Sequence, residues 1–156
     1  MSLNSRPVAK AEMLIRRPVS EVFAAFTEPA ELAKFWLARA SGKLEPGARV
    51  RWEFIVRGAV TDVQVQAFEA NRRIVFTWGE GDAVELRFTE RADGTFVSIE
   101  NTGFTGNDDE VVAKAIDSTG GFTLVLCELK ALLERGIAMR YGPDKFCDAE
   151  LVGDLR

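Results

Sequence analysis

The sequence predicts an α+β fold in which a curved antiparallel β-sheet wraps around one long C-terminal α-helix, with two short helices between the first two strands. Ser118 to Gly136 repeats its apolar residues with a helical period, whereas the stretch from Val50 to Asn101 repeats them with a period of two. Short turns join the alternating segments, which makes neighbouring strands antiparallel. About 17 helical residues span about 25 Å, close to the length of strands of seven or eight residues, so such a helix can lie along the sheet.

Val8 to Arg16 (VAKAEMLIR) precedes Pro18 and reads as the first strand. Pro18 to Thr27 (PVSEVFAAFT) places Val19, Val22, Phe23 and Phe26 on one helical face, and Pro29 ends it. A second short helix, Glu31 to Trp36, sets Leu32, Phe35 and Trp36 at i, i+3 and i+4. From Leu44 onward the period becomes two: Val50, Trp52 and Phe54 alternate with Arg49, Arg51 and Glu53, which gives a strand one dry and one wet face. Ala59 to Glu69 is long for one strand, and its phase change between Val60 and Val63 predicts a β-bulge near Thr61 and Asp62.

Arg72 to Gly79 puts Ile74, Phe76 and Trp78 on one face, and Ala83 to Glu90 does the same with Val84, Leu86 and Phe88. Asp93-Gly94 is a hairpin signal leading into Thr95 to Asn101, where Val97 and Ile99 are dry. Gly103 to Asp109 reads as a loop and Glu110 to Ile116 as a short helix before the Gly120-Gly121 pair. In the long helix, Phe122, Val125, Leu126, Leu129, Leu132 and Leu133 form an apolar arc roughly 120° wide. Ser118 suits its start, Lys130 and Arg135 suit the negative end of its dipole, and Gly136 suits a left-handed stop. The chain reads as one domain, 1–156, with 137–156 as a tail. Tyr141, Phe146 and Leu151 could pack that tail on the domain or on a second subunit, so a homodimer stays open.

Composition removes several function classes. The chain has no histidine, which excludes Ser-His-Asp and Cys-His nucleophile pairs, an HExxH zinc site and a histidine-ligated haem. No metal-ligand cluster, glycine-rich phosphate loop or other cofactor signature stands in its place. A net charge of −4 argues against a nucleic-acid partner. No apolar run approaches a membrane span, and the N-terminus lacks a signal-peptide core, so neither membrane insertion nor export is expected. Cys127 and Cys147 have no framework spacing and fit a reducing, cytoplasmic setting. Eleven Phe and three Trp against one Tyr favour dry apolar interiors or pockets.

Without histidine, any acid and base must come from carboxylates, Lys, Tyr or Cys. Asp62 is one catalytic candidate, because a carboxylate turned inward at the expected bulge could move protons; otherwise it is a solvated strand residue. Glu128 is the other, about 60° around the helix from Val125 at the rim of the apolar arc; otherwise it is a surface ion pair or a solvated flank. Cys127 lies away from the arc with no histidine to activate it. Asn101 follows Val97 and Ile99 on their face, so its amide could enter a cavity mouth or instead form a turn.

Strand, two short helices, antiparallel strands and one long C-terminal helix is the order of the helix-grip fold. Four stretches, RPVSEVFAAFTEPAELAKFW, RRIVFTW, GTFVSIENTGF and GGFTLVLCELKALLERG, resemble the SRPBCC (START-like) superfamily. Within it they resemble the activator of heat-shock protein 90 ATPase homologue-like family. Phe122 departs from that pattern, in which Trp commonly follows the helix-opening Gly, and AVTDVQVQ lacks the usual Gly-x-Val. The resemblance implies a deep apolar cavity between sheet and helix that holds a small hydrophobic molecule. Its candidate lining is Trp36, Trp52, Phe54, Phe76, Trp78, Leu86, Phe88, Val97, Ile99 and Asn101 on one side and Phe122, Val125 and Leu129 on the other. The same residues would equally make a solid core. A cyclase, aromatase or hydrolase acting on a ring compound in that cavity is the alternative expectation. A chaperone co-activator, suggested by the family's name alone, is the weakest.

Overall fold

A computed structural model describes residues 3–153. Its seven strands are β1 (Ala9–Ile15), β2 (Leu37–Ala40), β3 (Arg49–Phe54), β4 (Val60–Glu69), β5 (Arg73–Trp78), β6 (Asp82–Arg91) and β7 (Gly94–Thr102). They form one antiparallel sheet in the order β1-β7-β6-β5-β4-β3-β2. Helices α1 (Val19–Thr27) and α2 (Pro29–Phe35) lie between β1 and β2, as expected, and α3 (Asp108–Arg135) follows the sheet. A short α4 (Tyr141–Lys145) sits in the tail.

The period-two segments pair so that their apolar residues share one face. Val84 on β6 stands between Phe76 on β5 and Asn101 on β7, Leu86 between Ile74 and Ile99, and Phe88 opposite Val97. The β6–β7 hairpin turns on Ala92-Asp93, and Gly94 starts β7 at φ 151, where a Cβ would collide with the Ile15 carbonyl. Leu37–Ala40 is an edge strand absent from the sequence reading, too short for its alternation to register.

Two expectations are corrected. The bulge lies between Val65 and Ala67, against β5, and Val60 to Gln64 pair without interruption with Glu53 to Arg49. Val60 is an exposed residue rather than a core one, so no phase change is needed before Val63. Beyond the bulge Phe68 returns to the inner face opposite Ile74.

The second correction concerns α3, which is one helix of 28 residues, about 42 Å long, and not a short helix followed by a long one. Asn107 caps it: the Asn107 Oδ1 accepts from Glu110 N at 2.9 Å, and Glu110 Oε2 accepts from Asn107 N at 3.3 Å. Val111 and Ala115 are buried on the same side as Phe122, so packing carries the helix through Gly120-Gly121. Its far end is fastened to β1. Lys130 Nζ donates to Leu14 O at 2.7 Å and to Glu134 Oε2 at 2.6 Å, and Glu134 also accepts from Arg16 N at 2.9 Å.

Candidate functional site

A cavity of about 700 Å³ opens at one end of the concave face. Most of its walls come from places where an element ends. The C-terminal end of α2 supplies Phe35 and Trp36, and the β3–β4 hairpin supplies Phe54 to Val56 and Ala59. The β5–β6 turn contributes Trp78 to Glu80 and Asp82, and the exit of β7 contributes Asn101 and Gly103 to Thr105. Helix α3 provides one side between Lys114 and Glu128, and the tail adds Gly142, Lys145 and Phe146. The aromatic wall is continuous: Trp78 stacks on Phe122 at 5.8 Å, and Trp36 meets both edge-on at 6.2 and 5.7 Å.

One polar group is built into this apolar wall. Trp78-Gly-Glu-Gly-Asp82 forms a tight turn in which Gly81 N donates to Trp78 O at 2.8 Å, so Trp78 and Asp82 pair across β5 and β6. Asp82 Oδ2 accepts from Trp78 Nε1 and from Asn101 Nδ2, both at 2.7 Å. Asn101 is 2% exposed; its Nδ2 also donates to Ala83 O, and its Oδ1 accepts from Ser118 Oγ at 2.8 Å. Side chains from β5, β6, β7 and α3 are thus locked in one network. At the rim, Glu80 Oε2 accepts from Thr105 Oγ1 at 2.7 Å and Lys114 Nζ at 3.4 Å. The Thr105 hydroxyl first, then the Lys114 ammonium, hold the Glu80 carboxyl below its usual range.

Glu128 is buried at 6% exposure, and its partners are backbone groups of the tail. Its Oε2 accepts from Met139 N at 2.6 Å and its Oε1 from Tyr141 N at 2.9 Å. Farther on, Arg57 N donates to Glu150 O, Val152 N donates to Ile55 O, and Leu151 is buried in a bridge to Val56. The tail is therefore pinned at Met139 and Tyr141 and again at Glu150 to Val152, and between them it runs across the cavity mouth, on its own chain. Its last three residues lie outside the described residues.

Of the candidate ligand-binding residues, Trp36, Phe54, Trp78, Asn101, Phe122 and Val125 line the cavity. Trp52, Phe76, Leu86, Phe88, Val97, Ile99 and Leu129 do not, and the reason is that α1 and α2 fill their end of the face. Phe23 and Phe26 pack edge-on against Phe88 at 5.1 and 5.7 Å, and Phe26 meets Phe35 at 5.4 Å. Trp52 closes the boundary between the two ends, 4.9 Å from Trp36 and 5.3 Å from Phe76, with its Nε1 buried and without a hydrogen-bond partner.

The two catalytic candidates are also placed. Asp62 is exposed on the outer face, because the displaced bulge leaves it opposite Arg51 in regular pairing. Glu128 is buried rather than on a solvated flank, and both its oxygens are engaged by the tail. Asn101 sits in the strand and in the network, not in a turn. Asp82 and Ser118 are polar lining residues that the sequence reading missed, since Asp82 fell just outside the expected strand and Ser118 was assigned to a cap. The Trp-Gly-Glu-Gly-Asp run was the available signal: two glycines in a strand-to-strand turn bring the flanking Trp and Asp face to face.

A curved antiparallel sheet gripping a long helix, with an aromatic cavity at one end of the grip, defines the helix-grip class of protein. More particularly, the chain belongs to the family described as Activator of Hsp90 ATPase homolog 1-like protein, whose model matches residues 16–134, more than half of the chain. Among solved structures it is similar to the protein SSP2350 of Staphylococcus saprophyticus, with 25% identity, a TM-score of 0.72, and 85% of this chain and 95% of that chain covered. DynU16, a protein of the dynemicin biosynthetic locus, matches with 23% identity and a TM-score of 0.73 over 86% of this chain and 49% of that one. The Aha1 dimer of Colwellia psychrerythraea matches with 20% identity and a TM-score of 0.71 over 83% and 97%. No curated protein sequence matches the chain. No helix among the described residues is long and apolar enough to cross a membrane.

Proposed function

We propose that this protein binds a small hydrophobic molecule in the cavity between the end of its sheet and α3. The observation that carries this reading is the cavity itself, about 700 Å³ walled by Trp36, Phe54, Trp78 and Phe122, with one polar network set among them. That volume is in the range of pockets that enclose small molecules, and a mostly apolar lining with a few fixed polar groups is their usual chemistry. Membership of the helix-grip class supports it, and the origin of DynU16, a biosynthetic locus, is consistent with a small organic ligand. Native mass spectrometry of freshly purified protein, with solvent extraction of what it carries, tests the reading. A bound small molecule is expected; protein that is uniformly free of ligand and takes up no apolar aromatic probe would overturn it.

Turnover in the same cavity has less support, because Asp62 faces away and Glu128 is held by the tail. The chaperone reading is supported by the family description alone. A homodimer is favoured by the relative from Colwellia psychrerythraea, described as a dimer, and the molar mass in solution tests it. Leu151 is buried on its own chain, whereas Ile137, Met139 and Phe146 of the tail are exposed, so the tail stays a candidate surface between two copies.

A further inference from the structure

If the cavity binds a small apolar molecule, its polar wall restricts which end-group that molecule carries. Asp82 Oδ2 is saturated by Trp78 Nε1 and Asn101 Nδ2, whereas Oδ1 has no donor among the described residues. Asn101 has no hydrogen left to offer, since Nδ2 donates to both Asp82 and Ala83 O. The hydrogen of Ser118 Oγ is directed at Asn101 Oδ1, which leaves that hydroxyl only an acceptor toward the cavity. At the rim, Thr105 Oγ1 donates to Glu80, and Lys114 Nζ gives two of its three hydrogens to Thr105 O at 2.7 Å and to Glu80 at 3.4 Å. The lining carries four carboxylates, Glu80, Asp82, Asp117 and Glu128, against two ammonium groups, Lys114 and Lys145. Lys145 stands on the tail over the Phe146 ring at 5.5 Å.

Around Asp82 the wall therefore offers acceptors and negative charge where donors would be needed for an acid. A carboxylate brought beside Asp82 would lose its water, face that like charge and find no uncommitted hydrogen on Asn101 or Ser118. A hydroxyl or an ammonium would instead meet Asp82 Oδ1, in a charge-assisted hydrogen bond inside a water-poor site. The aromatic rings flanking it suit a flat body and are tolerant of a cation. We propose that the cavity selects aromatic molecules that present a hydrogen-bond donor, a hydroxyl or an amine, to Asp82, and rejects carboxylic acids of the same body. The proposal rests on the binding reading above and names the ligand class for that site.

Four probes of one shape test it: 2-naphthol, 2-naphthylmethylamine, naphthalene and 2-naphthoate at neutral pH. Each is titrated into the ¹⁵N-labelled full chain, and affinity is read from the Trp78 indole N–H signal, whose proton is bonded to Asp82. The alcohol and the amine should each bind about tenfold or more tightly than the acid, the size of one hydrogen bond to a charged group, with naphthalene between. Asp82→Asn keeps an acceptor for Trp78 and Asn101 but turns the free oxygen into a donor, so the ratio of alcohol to acid should collapse. Acid binding as tightly as alcohol in the unaltered protein overturns the proposal without any variant, and so does a ratio that Asp82→Asn leaves unchanged. If naphthalene binds but the four probes show no preference, the donor rule fails and the cavity reading stands. If none of the four moves the Trp78 signal, both fail.

Discussion

Phe76 and Trp78 stand two residues apart on the same face of β5, yet Phe76 is fully buried and Trp78 looks into open space. The strand treats them alike, and the difference comes from what approaches from elsewhere. Phe76 packs against Trp52 at 5.3 Å and belongs to the same buried cluster as Phe26, Leu32 and Phe35 of the two short helices, so the concave face is solid there. Over Trp78 stand only Trp36 from the end of α2, edge-on, and Phe122 from α3, stacked, with the cavity beside them. A period-two pattern therefore says which face of a sheet is dry; insertion from a second layer decides whether that dry face is core or cavity.

The largest effect expected from breaking this contrast is on stability at the solid end. Phe76→Ala should cost about 3–5 kcal/mol, because no neighbour can move into the space. Phe54→Ala at the open end removes a half-buried ring from a cavity wall and should cost less than about 2 kcal/mol. Denaturant unfolding of both variants checks the difference. The order should reverse for an aromatic probe, whose affinity falls with Phe54→Ala. Equal losses of stability would mean that the two ends are packed alike.

Next in size is the strap of tail. Glu128→Ala leaves the Met139 and Tyr141 N–H groups without their acceptor and should cost about 1–3 kcal/mol. The loss should be local to the open end, seen as faster amide exchange at those two residues and faster proteolysis of the tail, with exchange in β6 and β7 unchanged. Glu128→Gln keeps a neutral acceptor and should fall between. Unaltered tail exchange in Glu128→Ala would show that the Val56–Leu151 bridge alone holds the strap.

How much of this could be read from the chain divides along the same line. Strand faces, the two short helices and the apolar arc of α3 were legible because each is written in local periodicity. The displaced bulge was not, since an exposed Val60 mimics a core residue in the pattern. Nor was the single long helix: Gly120-Gly121 argue locally for a break, and burial of Val111 and Ala115 overrides them. At the site, Trp36, Phe54, Trp78 and Phe122 were found by being aromatic on the dry face. Asp82 and the role of Glu128 were missed because their partners are distant: Asn101 and Ser118 for one, and the tail backbone for the other.

The carboxylates at the two ends respond to acid in the same direction and to different extents. Burial pushes Glu134 up, but the hydrogen bonds from Lys130 and Arg16 N, with their charges, outweigh it and hold the carboxyl below its usual range. Glu80 is also lowered, by Thr105 and then Lys114. A carboxyl lowered by folding adds stability above its unfolded value and loses it as pH falls through the folded one, here below about pH 4. The drop in Tm on acidification should therefore be blunted in Glu134→Gln. Glu80→Gln should blunt it less, since 73% of the Glu80 side chain is exposed and water screens its partners. Parallel acid profiles of Glu134→Gln and the unaltered protein would remove Glu134 from this role.

The smallest effect separates the two faces of α3 itself. Gly120 is exposed and Gly121 lines the cavity, both are helical, and a Cβ at either would meet no atom within 4 Å. Alanine at either site should raise stability by about 0.5–1 kcal/mol, the helical cost of glycine. The two sites part when the side chain grows. Gly120→Leu should leave probe binding unchanged, whereas Gly121→Leu should weaken it by occupying space the ligand needs. Thermal unfolding of the alanine pair and probe titration of the leucine pair check this. Equal probe affinity in the leucine pair would mean that the ligand lies away from the middle of α3, nearer the turn that carries Asp82.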